Sequence, residues 1–222
     1  MNNSLANTAR LLGAGLRALL VLTLVTGVIY PLVVTGIAQA LFNDKANGSE
    51  IEADGKVVGS SLIGQAYNLP LKEGQETPDP DLKWFQGRPQ NGLGANSVNT
   101  QYKLILSGAT NRSAENKELI QWVKDAQAAV IKDNSTRGYT VKPSDVPADA
   151  VTSSGSGLDP DISPEYADIQ VHRVAERNGL SVAQVQKLVD EHTEGRTLGF
   201  LGEPRVNVLD LNIALKELVA KS

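Results

Sequence analysis

ALLVLTLVTGVIYPLVVTGIAQALF, running from Ala18 to Phe42, contains no charged side chain. About 20 apolar residues suffice to cross the hydrocarbon core of a bilayer, so this run predicts one transmembrane helix with room for tilt. Its flanks give a direction. Before it the only charges are Arg10 and Arg17, and after it come Asp44, Lys45, Glu50, Glu52 and Asp54. Positive flanks stay on the cytoplasmic side. The expected organisation is a cytoplasmic N-terminus over 1–17, a transmembrane helix over 18–42 and an extracytoplasmic (periplasmic) domain over 43–222. A net charge of −4 divides into +2 up to Phe42 and −6 beyond it, an asymmetry that reports on topology.

Within the span, Pro31 lies between Gly27 and Gly36. A bilayer helix tolerates such a proline where neighbouring groups satisfy the freed backbone. Thr23 with Gly27, and Gly36 with Ala40, are small-xxx-small pairs that let two helices approach closely. Thr23, Gly27, Pro31, Gly36 and Ala40 are therefore the membrane-packing candidates. Docking on other membrane helices and a lone anchor of ordinary composition both fit these pairs. Ala38-Gln39-Ala40 resembles a signal-peptidase site, but a signal's apolar core is about 7–15 residues and this one is longer. The length favours a retained anchor.

The remaining chain reads as a loop-rich α+β domain. Aromatics make up 5% of the 222 residues, with 20 glycines and 10 prolines. The acidic balance and the lack of a basic stripe argue against a nucleic-acid partner. With no cysteine there is no disulfide, thiolate site or cysteine nucleophile. Short strands are expected over 56–65, 82–86 and 97–106. Four helices follow. The first spans about 114–131 with Ser113 as N-cap. The second starts at Ser163-Pro164-Glu165 and ends at Gly179. The third opens on a capping box of Ser181 and Gln184. The fourth starts near Asn207. Strands first and helices later suggest α+β, with the helices concentrated in the C-terminal half. The segment 133–149 reads as a linker at which two small lobes divide.

Ser154 to Glu165, SGSGLDPDISPE, is the stretch most like a site. A P-loop requires G-x-x-x-x-G-K-[ST], and no lysine follows Gly157. A dinucleotide fingerprint lacks its third glycine here. An EF-hand pattern stops after Asp159 and Asp161. A turn that delivers a capped helix explains every residue class present. His172 and His192 fall on separate helices, and neither has metal-ligating company. Gly195, Gly199 and Gly202 read as turns into the last helix. Gln170 and Arg173 share one helical face, where such pairs are most often solvated. Trp84, Phe85 and Trp122 read as core. The residues suggest no catalytic site and no metal site.

Several stretches together resemble the C-subunit family of the bacterial Kdp potassium-transporting P-type ATPase. They are VTGVIYPLVVTGIAQ (25–39), GSSLIGQ (59–65), WFQGRP (84–89), PADAVTSSGSGLDPDISPEYADIQVHRVAERNGLS (147–181) and HTEGRTLGFLGEPRVNVLDLNIAL (192–215). The order, the spacing and the single N-terminal span all fit. Two departures stand out: SGATNRSAEN (107–116) replaces an S-G-G-S-N-L-G-P-like segment, and 90–106 is longer than usual. The resemblance implies a non-catalytic subunit of the bacterial inner membrane. Its implied partners are a potassium-binding channel-like subunit, an ATP-hydrolysing P-type subunit, a small bridging peptide and the lipid bilayer. It implies stabilisation of that assembly and a chaperone-like effect on ATP affinity. No firmly bound cofactor is implied, and ATP is contacted only through a ternary complex with the pump subunit. Gln170, Ser154, Gly155, Ser156 and Gly157 are the residues for that contact. An independent exported binding module and a secreted protein cleaved after Ala40 are the alternatives.

Overall fold

A computed structural model describes residues 3–95 and 105–222. The chain divides into two compact units, Met1–Glu50 and Ile51–Ser222.

The first unit is a helical rod. Helix α1 (Asn3–Leu24) passes through a π-turn (Val25–Ile29) into α2 (Tyr30–Leu41), and the one-turn α3 (Asn43–Ala46) follows. The 38 residues Ser4–Leu41 have a mean hydropathy of 2.3 over their most apolar window, long and apolar enough to cross a membrane. At about 1.5 Å per residue the rod is roughly twice as long as a bilayer's apolar core is thick. It starts well before Ala18. The residues ahead of the uncharged run mix strong helix formers (Leu, Ala, Arg) with weaker Asn, Ser, Thr and Gly and include no proline, so nothing stops the helix at the apolar limit.

Pro31 does not end the helix. Proline lacks an N–H and its ring crowds the carbonyl four residues back. The π-turn accommodates this: the Tyr30 N–H reaches Val25 O, five residues earlier, and regular helix resumes. Beyond Leu41 three carboxamides tie the rod's end together. Asn43 Nδ2 and Asn47 Nδ2 both donate to Gln39 Oε1, at 3.0 and 3.1 Å, and Gln39 Nε2 donates to Asn47 Oδ1 at 3.0 Å.

The second unit is α+β. Strands β1 (Glu50–Ala53) and β2 (Lys56–Ser60) form a two-stranded sheet. The two residues between them, Asp54 and Gly55, have φ of +53° and +72°, the left-handed pair that a tight hairpin requires. A second small sheet pairs β3 (Gly94–Ala95) antiparallel with β4 (Ile105–Leu106). The strand expected over 97–106 is present at its last two residues, and 97–104 lie outside the described residues.

Helix α4 (Lys117–Asn134) starts later than the sequence suggests. Asn116, not Ser113, is its N-cap, accepting from the Glu118 and Leu119 N–H groups. An asparagine carbonyl satisfies two of the orphan donors at once, while Ser113 supplies only a backbone carbonyl to Asn116 N. The segment after α4 is no inter-lobe linker. Val141 and Ala150 are 1% and 2% exposed, and residues 51–222 form one unit.

The C-terminal part follows its local signals closely. In α5 (Pro164–Asn178) Ser163 Oγ accepts from Tyr166 N, and Gly179 ends the helix at φ +69°. Helix α6 (Val182–Glu191) opens on the Ser181–Gln184 capping box. Helix α7 (Val208–Ala220) is capped by Asn207. Three short strands underlie them: β5 (Asp161–Ile162), β6 (Thr193–Glu194) and β7 (Arg205–Asn207), in the order β5-β7-β6 with both pairings antiparallel. Each strand leads straight into or out of a helix. Val174, Val185, Val206, Leu211 and Leu215 are fully buried between helices and sheet.

Candidate functional site

The segment Leu82–Gln86, expected as a strand, has no backbone strand partner. Asp81 turns the chain through its backbone carbonyl, which accepts from Trp84 N, and its side chain, which accepts from Lys83 N. The next two residues are then paired by carboxamide side chains. Asn212 of α7 accepts from Phe85 N at 2.9 Å and donates to Phe85 O at 2.9 Å. Gln170 of α5 does the same for Gln86, accepting from its N–H at 2.7 Å and donating to its carbonyl at 3.1 Å. A carboxamide has the donor and acceptor pair of a peptide group. Two of them therefore act as a surrogate strand and bind this segment to two helices.

Arg173 completes the network. Its Nε donates to Asn134 Oδ1 at 2.8 Å and its Nη2 to Gln170 Oε1 at 2.6 Å, while Nη1 donates to the Leu82 and Trp84 carbonyls. Gln170, Arg173, Asn134 and Asn212 are 0%, 2%, 4% and 2% exposed. Gln170 and Arg173 are not a solvated pair: both are interior, where with Asn212 they satisfy a buried stretch of irregular backbone. Burial pulls the Arg173 pKa down to about 10, partly offset by the Tyr166 hydroxyl and by Asp133. Burial also pushes the Tyr166 hydroxyl up to about 12. No carboxylate lies within ion-pairing distance of Arg173 among the described residues. Carbonyl dipoles hold this cation in place of a counter-charge. Beside it is an open cleft of about 200 Å³, lined in part by Gly87, Arg88, Asp133, Tyr166 and Arg173.

The Ser154–Gly157 loop is a different place. Gly155 and Ser156 are exposed, Ser154 is half-buried and Gly157 is buried. Gly157 has φ +69°, a conformation that favours glycine, and a Cβ there would press on the Leu93 side chain 2.7 Å away. The Ser156 carbonyl accepts from Gly108 N and Ser107 Oγ, tying the loop to the segment where the sequence departs from the family pattern. Asp159 then pairs with Arg88 at 2.9 Å, and Asp149 accepts from both the N–H and the hydroxyl of Ser163. The stretch turns the chain and starts α5. Gln170 makes its hydrogen bonds to Gln86, Tyr166 and Arg173, and none to this loop.

Phe85 is fully buried and Trp84 packs against the core from a half-buried position. Trp122 lies outside the main cluster, with the Arg112 guanidinium 4.6 Å from its ring centre. His172 stacks on Tyr139 with ring centres 4.0 Å apart, and His192 caps α6 with Nδ1 2.8 Å from Leu188 O. No group of three or more metal-ligating side chains occurs among the described residues. Thr23, Gly27, Pro31, Gly36 and Ala40 line the rod, all exposed along it. Asn212 is the residue that sequence reasoning missed. An asparagine within the apolar run VLDLNIAL is the signal that could have found it.

This combination defines a class: a chain with one long apolar helix and a folded α+β unit whose interior polar groups hold backbone. Comparison narrows it further. Residues 12–217 match the family described as K+-transporting ATPase, c chain. The potassium-transporting ATPase KdpC subunit of Streptomyces avermitilis is 83% identical over 222 residues, covering 100% of both chains. That of Streptomyces coelicolor is 77% identical over 220 residues, covering 99% of this chain and 98% of its own. The Gemmatimonas aurantiaca subunit is 46% identical over 211 residues, covering 93% and 94%. The chain belongs to the KdpC family and is a subunit of a K+-transporting ATPase.

Proposed function

We propose that this chain is the non-catalytic, single-pass membrane subunit that assembles and stabilises a high-affinity ATP-driven potassium importer. The family match across both units carries this reading. Support comes from the apolar rod, which suits docking along other membrane helices, and from the core network, which gives its buried polar groups structural partners. The partners in this reading are the channel-like subunit, the ATP-hydrolysing subunit and the small bridging peptide. The charge asymmetry of +2 up to Phe42 and −6 beyond supports a cytoplasmic N-terminus and an extracytoplasmic folded unit. In that orientation ATP belongs to the pump subunit, and the effect on ATP affinity is transmitted through assembly. The acidic folded unit then also favours cation approach to the channel entrance. The Ser154–Ser156 segment, exposed at Gly155 and Ser156, is the place to test for direct nucleotide contact, since the Gln170 amide is fully engaged.

The test is potassium-stimulated ATP hydrolysis in membranes with and without this chain. The proposal expects the activity and the co-purification of the other subunits to depend on its presence. A fully active, fully assembled pump lacking the chain would refute it.

A further inference from the structure

The loop joining β6 to β7 is an apolar knob. Leu198, Phe200 and Leu201 are 79%, 67% and 51% exposed, three large side chains within four consecutive residues. The knob is rigid. Thr197 N–H donates to Leu201 O at 2.9 Å and Leu201 N–H returns to Thr197 O at 3.0 Å; Gly199 N–H bonds Arg196 O and Phe200 N–H bonds Thr197 O. Arg196 and Glu203 close its base at 2.6 Å. Below them Arg205 pairs with Glu194 at 2.6 Å and Asp161 at 3.2 Å.

Leu198 has φ +55°. That left-handed conformation strains any branched apolar side chain, and a turn needing only to reverse the chain would carry Asn or Gly there. Here leucine occupies it and points an apolar side chain at solvent. Chain reversal explains Gly199 and Gly202 but not Leu198. Strain of this kind is kept where a fixed geometry serves a function.

We propose that this knob seats in an apolar socket on another polypeptide subunit of the ATPase, an inference that rests on the accessory-subunit reading above. Two observations choose a polypeptide over lipid. A fluid bilayer requires no fixed side-chain geometry, whereas a socket does. The collar holds Arg196 and Arg205 against Glu194, Glu203 and Asp161. That is an acidic surplus, while loops that seek anionic lipid carry a basic one. Paired charges around a compact apolar centre are the anatomy of an interface anchor with a polar rim that excludes water.

The test places photoreactive p-benzoyl-phenylalanine at Phe200 in the full-length chain within the assembled complex. After irradiation the complex is purified through a tag on this chain and the adduct is identified by mass spectrometry. The expected adduct is with another subunit of the same ATPase, and Leu198→Asn in that chain should cut its yield at least fivefold. Leu198→Asn should leave the melting temperature of the full chain unchanged or higher, because asparagine tolerates the left-handed position. Adducts confined to lipid or to a second copy, or a yield indifferent to Leu198→Asn, would overturn the proposal. If the unmodified chain recovers no other subunit, the accessory reading has failed. If the unmodified complex is intact and only the adduct result is negative, the knob proposal alone has failed.

Discussion

Replacing Gln170 with alanine should destabilise the folded unit without any ligand present. The variant loses the acceptor for Gln86 N–H and for Arg173 Nη2, and the donor to the Gln86 and Tyr166 carbonyls. A buried polar group left unpaired costs about 1–3 kcal/mol. Two such losses are severe here, the Gln86 N–H and the guanidinium N–H. Water from the adjoining cleft recovers part of the cost, so about 3 kcal/mol is expected. At about 2–4 °C per kcal/mol for a unit of this size, the melting temperature should fall by roughly 6–12 °C. Gln170→Glu keeps the acceptor for Gln86 and gives Arg173 a counter-charge, but it sets a carboxylate oxygen against the Gln86 and Tyr166 carbonyls that Nε2 now serves, so it should also melt below wild type. The assay is thermal unfolding of the full chain in detergent, followed by near-ultraviolet circular dichroism. A Gln170→Ala chain that melts within about 2 °C of wild type, with an altered ATP dependence of the pump, would refute the structural assignment and make Gln170 a nucleotide residue.

Three further outcomes are expected. A Cβ on Gly64 would lie 2.4 Å from the Asp159 carbonyl oxygen, so Gly64→Ala must displace backbone and should cost about 1–3 kcal/mol in the same melting experiment. Burial raises the Asp161 carboxyl above its ordinary 3.8, against the pull of Arg205. The folded state therefore holds that proton more tightly than the unfolded state, and stability falls as pH rises from about 4 through the raised value. Asp161→Asn should melt higher than wild type at pH 7, with the gap closing toward pH 4; a gap that widens on acidification contradicts the sign. Nothing lies within 4 Å of a Cβ added at Gly36, so Gly36→Leu should leave the chain's own melting unchanged but reduce co-purified partner subunits several-fold, measured by quantitative gel densitometry.

The sequence was most legible where structure is local. Ser163, the Ser181–Gln184 box and Asn207 each cap the helix they were expected to cap, because a cap is decided within a few residues. The apolar run likewise announced a helix suited to a membrane, although its helical start lay outside the run. Leu82–Gln86 was misread because its partners are side chains far along the chain, Gln170 and Asn212. Period-two patterning detects an extended segment but cannot tell a backbone ladder from a carboxamide clamp. Gln170 and Arg173 were misplaced for the same reason. A polar pair on a helix looks solvated until the backbone it satisfies is known. The start of α4 differed because Asn116 and Ser113 are both good caps, and which one wins depends on the turn preceding the helix.

The exterior placement of the folded unit is the claim on which the division of labour rests. It is tested most directly by protease added to intact spheroplasts carrying a tag after Ser222. Loss of the tag without lysis is the predicted result, and it places the folded unit on the side from which potassium enters. Protection until lysis would contradict the account, reverse the charge-based orientation and return Ser154–Gly157 to the nucleotide side of the membrane.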